Sequence, residues 1–361
     1  MNLELTDEQV VLRDTVRRYL AEKASVTTHV RPMLDDTTGT TAEVWSGLAA
    51  LGTTGVLVPQ EYGGSGMTMV EAGIVATELG AALHPGPWLS SAVAAARALT
   101  RMVTGTHAAS LLTGIADGST VATIGPLNGL RPVVENAVLR GDIAALPDAA
   151  AADVVLVLAE DGAGTGLYAV DAKAPGVSAT ERTHVDQTRK LFDVVFDGVT
   201  AQRLASPSAD DIRGLVDDVL IANAADALGA ANAVMNLAVE YAKVRQQFDQ
   251  PIGSFQAVQH LCVDMYETVE LARSGVLHAV WATDAAQPAE RHLAALRAKA
   301  FAGQLATVAD IAIQVFGGIG YTWEHDAHLY LKRLLGWSAF LGGSDRYLQE
   351  VGRQLATNMF G

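Results

Sequence analysis

The chain has 361 residues, with 25 Lys and Arg against 40 Asp and Glu for a formal net charge of -15, one Cys and 50% hydrophobic residues. That length allows about two or three domains with proper cores, which excludes disorder for most of the chain. The acidic field, with no Lys/Arg cluster, excludes a nucleic-acid partner.

The lone Cys262 cannot close an internal disulfide, and the N-terminal stretch Met1 to Val10, acidic and amphipathic rather than a basic region followed by an apolar run, is not expected to be a targeting leader. No uncharged run of ~18 apolar residues stands out, so no membrane insertion and a cytoplasmic location are expected. Thr6-Asp7-Glu8-Gln9 reads as a capping box, followed by Leu12, Val16, Tyr19 and Leu20 at helical spacing. More helical pattern runs through Trp45, Leu48 and Leu51 and through Val70, Ile74 and Leu79. The breaker-rich Pro59 to Gly66 lies between them. Residues 1–117 are expected to form an N-terminal helical domain.

After Asp117-Gly118 the texture changes. Short β-type runs at Val133-Val134, Val154 to Leu158, Leu167 to Val170 and Phe192 to Phe196 are separated by Gly, Pro and Asp turns. A small middle β-domain, a barrel or sandwich, is expected over residues 118–206. From Ser208 long helices return over Ile212 to Val244, Ser254 to Ala282 and Glu290 to Val315. A glycine-rich break and a last helix near Asp345 to Leu355 follow. The C-terminal unit, 207–361, is expected to be a four-helix bundle, giving a helix–strand–helix α+β multidomain fold.

No Walker loop, zinc-type Cys/His spacing or nucleophile elbow occurs. His325 and His328, three apart, lack a third ligand, so no metal is expected. Cys262, between Leu261 and Val263, reads as a small buried side chain. Trp281, Trp323 and Trp337 read as packing or interface rings, and Lys332 and Arg333 as solvated cations. Two segments carry more chemistry. Around Arg245-Gln246-Gln247-Phe248 a helix ends in a guanidinium and a ring before a tight turn, a donor fork suited to a pyrophosphate. In Gln314-Val315-Phe316-Gly317-Gly318-Ile319-Gly320, three glycines in four positions let backbone N–H groups approach an anion.

Together with Val58 to Gly66 and Gln187-Thr188-Arg189, these segments resemble the acyl-CoA dehydrogenase family of flavoproteins over nearly the full length. The resemblance implies an acyl-CoA dehydrogenase-like fold, usually tetrameric, FAD as cofactor, an acyl-CoA substrate and electron-transfer flavoprotein or a similar acceptor. In that family one subunit's β-domain holds the flavin ring and its neighbour holds the ADP end. The neighbour's positions correspond here to Arg245, Gln247, Phe248, Gln314, Gly317 and Gly318, with Gln256 nearby. The family reaction removes a proton α to the thioester carbonyl while the β-hydride passes to the flavin, which calls for a carboxylate base.

The chain departs from the family where that base should be. The stretch matching the usual glutamate, Ala339 to Arg346, has none. Counting back without gaps from Arg245 to the alternative position, roughly seven helical turns, reaches Val219. The base is therefore unassigned, with Asp217, Asp218 and Asp345 as weak candidates. The family's flavin-ring segments correspond to Ala122 to Gly129 and Ala145 to Asp148, where Pro147 lacks the N–H and hydroxyl that would bind the ring. Missing base and ring segments beside an intact ADP end point to a heteromeric complex whose partner supplies them, and the run Gly317 to Asp326 resembles the less catalytic member of paired bacterial acyl-CoA dehydrogenases, which implies an α2β2 heterotetramer with a second acyl-CoA dehydrogenase subunit. Such pairs act in lipid metabolism, on fatty or steroid acyl groups. A self-sufficient homomer with an aspartate base, and a scaffold subunit without flavin, remain alternatives.

Overall fold

The computed structural model describes residues 4–103 and 108–360. The N-terminal helices are α1 (Asp7–Lys23), α2 (Ala42–Ala50), α3 (Met69–Ala81), α4 (Ala96–Met102) and α5 (Ala109–Asp117). The capping box read at Thr6 forms: its side chain accepts from the Gln9 N–H at 3.3 Å, and Gln9 Oε1 accepts from the Thr6 N–H at 3.0 Å. Gly118, at φ 77°, ends α5 in a left-handed cap where the domain boundary was expected.

The β-domain contains β1 (Ala122–Gly125), β2 (Val133–Glu135), β3 (Val138–Pro147), β4 (Val154–Asp161), β5 (Gly164–Asp171), β6 (Val177–Glu181), β7 (Leu191–Thr200) and β8 (Gln202–Ala205). They form one sheet ordered β6-β7-β3-β2-β4-β5-β8, with β1 pairing parallel to β4. Four strands were legible and four were not. β3 hides behind Gly141 and Asp142, and the segment taken for a ring-binding loop begins as β1, whose four residues are all buried. Alternating inward residues such as Leu139, Ile143, Phe192 and Val194 make a separate β-domain core.

The C-terminal unit comprises α6 (Ala209–Val244), the hairpin β9 (Gln246–Gln247) and β10 (Gln250–Pro251), then α7 (Gln256–Ala285), α8 (Pro288–Ala300), α9 (Ala302–Phe316), α10 (Ala327–Ala339) and α11 (Ser344–Phe360). The single helix expected over Glu290 to Val315 is two, broken at Phe301 (φ -79°, ψ -5°). α10 was missed in the sequence. Within Pro288–Tyr321 one 18-residue window is apolar enough to cross a membrane by length and composition, yet Asp310 leaves no uncharged run of that length in the segment, and 56% of the window lies inside the protein. It is spent as bundle core.

Helix α6 is the axis of the molecule. It packs on α3 at backbone distance because both helices carry glycine at the crossing. A Cβ on Gly229 would sit 1.9 Å from the Thr77 carbonyl oxygen, and one on Gly80 would sit 1.9 Å from that of Asp226. One apolar core therefore runs from α1 through α3 and α6 into α7, α8 and α9.

Candidate active site

Where the three domains meet, a cavity of ≈ 100 Å³ is walled by Leu89 and Ser90, by Thr123, Pro147 and Asp148 at the ends of β1 and β3, and by α6 and α10. Helix α6 presents Val219 and Asp226 to it, and α10 presents Arg333 and Trp337, with Phe340 just beyond. Both segments matched to the family's flavin-ring loops therefore reach this cavity, as does the residue at the alternative base position.

An ion network occupies its polar side. Arg333, only 2% exposed, donates from Nε to Asp226 Oδ1 at 3.1 Å, from Nη1 to Thr188 Oγ1 at 2.7 Å and from Nη2 to the His84 carbonyl at 2.9 Å. Arg189 Nη2 reaches Asp226 Oδ2 at 2.7 Å. Burial pulls the Arg333 guanidinium below its ordinary range and the Arg189 charge adds to this, while Asp226 opposes both. One arginine thus ties a carbonyl of the N-terminal domain, a β-domain loop and α6 together. The expectation that Arg333 is solvated is overturned.

Asp148 follows β3 at φ 55°, buried, with its Oδ2 held by the Ser90 hydroxyl and its Oδ1 without a partner. Burial pushes its carboxyl up, against the pull of Ser90 and the nearby cations. The Trp337 Nε1 is likewise unpartnered. A cavity of ≈ 100 Å³ holds about three waters at roughly 30 Å³ each, well short of the roughly 300 Å³ at which ligand sites for larger molecules begin. These walls do not fit a flavin ring.

The proposed carboxylates lie elsewhere. Asp218 is fully buried against Arg101, whose Nε and Nη2 approach at 2.5 and 2.9 Å, with Arg97 at 3.8 Å. Burial raises its carboxyl and both arginines lower it. Asp217 Oδ1 meets His292 Nδ1 at 2.8 Å. Each residue turns an α-helix by about 100°, so with Val219 on the cavity wall these two face α4 and α8 instead. Asp345 is exposed in the first turn of α11.

The ADP-end candidates gather at the other end of α6. Tyr241, one turn before Arg245, packs on Phe316, immediately before Gly317, at 5.1 Å between ring centroids, so both motifs share one end of the bundle. Arg245 caps α6 with an exposed side chain and no ion pair among the described residues. Phe248 and Asp249 form the two-residue turn of the β9–β10 hairpin, both left-handed at φ 53° and 60°. Asn-Gly is the usual choice there because L side chains strain in that region. Phe248 nevertheless points out, 86% exposed, with its ring edge-on to that of Phe255 at 6.1 Å between centroids. Gln247 donates to the Gln246 carbonyl at 2.9 Å, and Gln256 and Gln314 are exposed. Nothing lies within 4 Å of a Cβ built on Gly317 or Gly318. This open surface of guanidinium, ring and bare backbone fits the diphosphate end of a dinucleotide.

His325 and His328 are spent locally. The His325 ring lies on Phe316 at 4.2 Å and its Nδ1 accepts from the Ala327 N–H, and His328 packs on Trp323 at 4.7 Å. Among the described residues, no three His, Cys, Asp or Glu converge as a metal site. Burial raises the half-buried Cys262 thiol.

A helical domain, a β-domain and a helical bundle meeting at one interdomain cavity define the architecture of an acyl-CoA dehydrogenase. The family's N-terminal domain matches residues 6–119 and its C-terminal domain residues 220–356. Acyl-CoA dehydrogenase IpdE2 of Mycobacterium tuberculosis is 35% identical, covering 98% of each chain. Acyl-CoA dehydrogenase FadE34 of the same organism is 35% identical over 96% of this chain, which spans only 48% of that protein. Among solved structures, the ChsE4-ChsE5 complex from M. tuberculosis superposes with TM-score 0.90 at 26% identity, covering 99% of both chains. A Tcur3481-Tcur3483 steroid ACAD variant superposes with TM-score 0.88 at 28% identity, covering 98% and 99%. The chain belongs to the acyl-CoA dehydrogenase family, oxidoreductases acting on CH–CH bonds.

Proposed function

We propose that this chain is a subunit of an FAD-dependent acyl-CoA dehydrogenase in which a second acyl-CoA dehydrogenase chain supplies the base and the flavin-ring pocket, in an α2β2 assembly. The observation that carries this reading is its division of labour. The ADP-facing surface stands open and bare, while the chain's own interdomain cavity has its polar side taken up by the Arg333–Asp226–Arg189 network and, among the described residues, offers no free glutamate. Two of its structural neighbours are a steroid ACAD and a two-protein complex, which supports a sterol-derived acyl-CoA as the first substrate to assay.

When bound, FAD supplies the hydride acceptor for α,β-dehydrogenation of the thioester to a 2-enoyl-CoA, and electron-transfer flavoprotein or a similar acceptor reoxidises it. This chain's residues bind and orient. The Arg245 fork grips the diphosphate, the Gly317 and Gly318 N–H groups approach it without Cβ obstruction, and Phe248 covers an apolar face. We place the reaction in the cytoplasm.

The test is co-expression with a second acyl-CoA dehydrogenase chain carrying an intact glutamate. The expected product is an active complex with two FAD per four chains, and Arg245→Ala in this chain lowers flavin content without unfolding it. An active homotetramer of this chain alone, loaded with one FAD per chain, contradicts the proposal. A complex without visible flavin absorbance makes the chain a scaffold.

A further inference from the structure

A second concavity lies across α6 from the cavity, where α1, α3, α6 and α7 meet, with a volume of ≈ 490 Å³. That falls in the roughly 300–1,000 Å³ class of small-molecule sites. Each helix gives one stripe at helical spacing, such as Val70, Ile74 and Thr77 on α3 and Ala225, Leu228 and Asn232 on α6.

Its depth has a sequence cause. Gly80 and Gly229 draw α3 and α6 to backbone contact, while Gly73, Ala81, Ala225 and Ala233 carry too little side chain to fill the space beside that contact. Gly73 cannot gain one, because its Cβ would meet Val280 Cγ1 at 2.8 Å. Val276, Leu277 and Val280 of α7 complete an apolar wall.

The rim has a different chemistry. Arg13, Arg17 and Arg273 all border it, in a chain whose net charge is -15. The Arg17 fork holds the buried Glu78 through Nε at 2.9 Å and Nη2 at 2.8 Å, using up that carboxylate. Arg273 is steadied by Glu270 at 3.0 Å and by Asn232 Oδ1 at 3.2 Å. Each guanidinium has five N–H donors, so Arg17 and Arg273 keep donors beyond these bonds.

We infer that this crevice is a binding site for an apolar carboxylic acid, the chain lying on the Ala/Gly/Val wall and the carboxylate meeting Arg17 and Arg273 at the rim. Apolar walls under a cationic rim favour this class over a neutral oil and over a short, polar acid. The site is separate from the ADP-facing surface and from the interdomain cavity, so the inference stands whether or not the heteromer reading does.

Dodecanoate is the probe, titrated calorimetrically into the purified protein in whichever assembly it forms, with 1-dodecanol and butyrate as comparators. Dodecanoate is expected to bind once per chain and at least about tenfold more tightly than either comparator, a charge-assisted hydrogen bond being worth that much against the alcohol and the additional buried methylenes at least that much against butyrate. Ala233→Leu, which fills the crevice, is expected to weaken it at least about tenfold. Arg273→Gln is expected to weaken dodecanoate but not dodecanol. Circular dichroism on each variant checks the fold, and an unfolded Ala233→Leu is replaced by Ala225→Val. No binding of dodecanoate, equal binding of dodecanol, or binding unchanged in both folded variants overturns the inference.

Discussion

Replacing Arg333 with Met tests whether the interdomain network is a structural lock. The substitution keeps the length of the side chain and removes every donor. Asp226 then retains only Arg189, and the Thr188 hydroxyl and the His84 carbonyl each lose a donor at a buried place. Breaking a buried pair from one side costs roughly 3–5 kcal/mol, which for a chain of this size lowers the melting temperature by roughly 4–7 °C. Urea and thermal unfolding followed by circular dichroism measure it. The double variant Arg333→Met/Asp226→Leu removes the orphaned charge as well, and is expected to lose about 1–3 kcal/mol less than the two single losses added together, since the residues touch. A single-variant loss under about 0.5 kcal/mol, the range of surface changes, or strict additivity in the double variant, would refute the lock.

Gly229→Ala drives a methyl to within 1.9 Å of the Thr77 carbonyl, so α3 and α6 must separate. Unfolding in urea is expected to show a loss of about 1–3 kcal/mol, the usual cost of overpacking. Stability is also expected to fall as pH drops below about 6.5, the ordinary histidine value. His29 and His84 stack at 5.6 Å in the interior, and burial lowers both, so the unfolded chain takes up two protons that the native state refuses. Above 6.5 neither state binds these protons and stability is flat; below it the slope approaches roughly 2.7 kcal/mol per pH unit for two such groups, until the pH reaches their lowered native-state values. His29→Phe/His84→Phe should flatten it between pH 6.5 and 5.5, as urea titrations at each pH would register. At the hairpin tip, Phe248→Asn/Asp249→Gly installs the residues the left-handed turn prefers. The isolated chain should gain about 1 kcal/mol, while the flavin content of the complex falls. A gain without that fall would remove Phe248 from the cofactor surface.

What the sequence revealed divides along chain distance. The Arg245 and Gly317 segments are local: a helix end, a two-residue turn and a run of glycines each declare their geometry within about ten residues. Even their meeting had a trace in Tyr241 and Phe316, the large rings flanking them. The ion network had no such trace as a whole, because it joins His84, Thr188, Asp226 and Arg333, residues separated by up to 249 positions. One signal was there to be used. Asp226 sits in Ala224-Ala225-Asp226-Ala227-Leu228, and a carboxylate alone in a fully apolar helical run needs a buried cation. Arg333, beside Leu331 and Leu334, was its counterpart. Both were hidden because a single charge on a helix most often faces water. Asp148 was legible only as a departure from the ring-binding segment, since its burial depends on Ser90 from another domain.

The gapless count from Arg245 to Val219 explains why the aspartate candidates failed geometrically though they lay one and two residues away. α6 is unbroken over Ala209–Val244, so register along it is preserved and side-chain direction follows from counting alone. The same rigidity lets one helix serve different neighbours on successive faces. Asp218 turns to Arg101, Val219 and Asp226 to the interdomain cavity, Ala225 and Gly229 to the crevice under α3, and Arg245 at the end to solvent. A helix so committed cannot rotate to bring Asp218 into the cavity without breaking the Arg101 pair and driving the Gly80 and Gly229 crossings into clash. A base recruited from this chain would therefore have to come from another element, and Phe340 and Trp337 occupy the nearest wall that α10 offers.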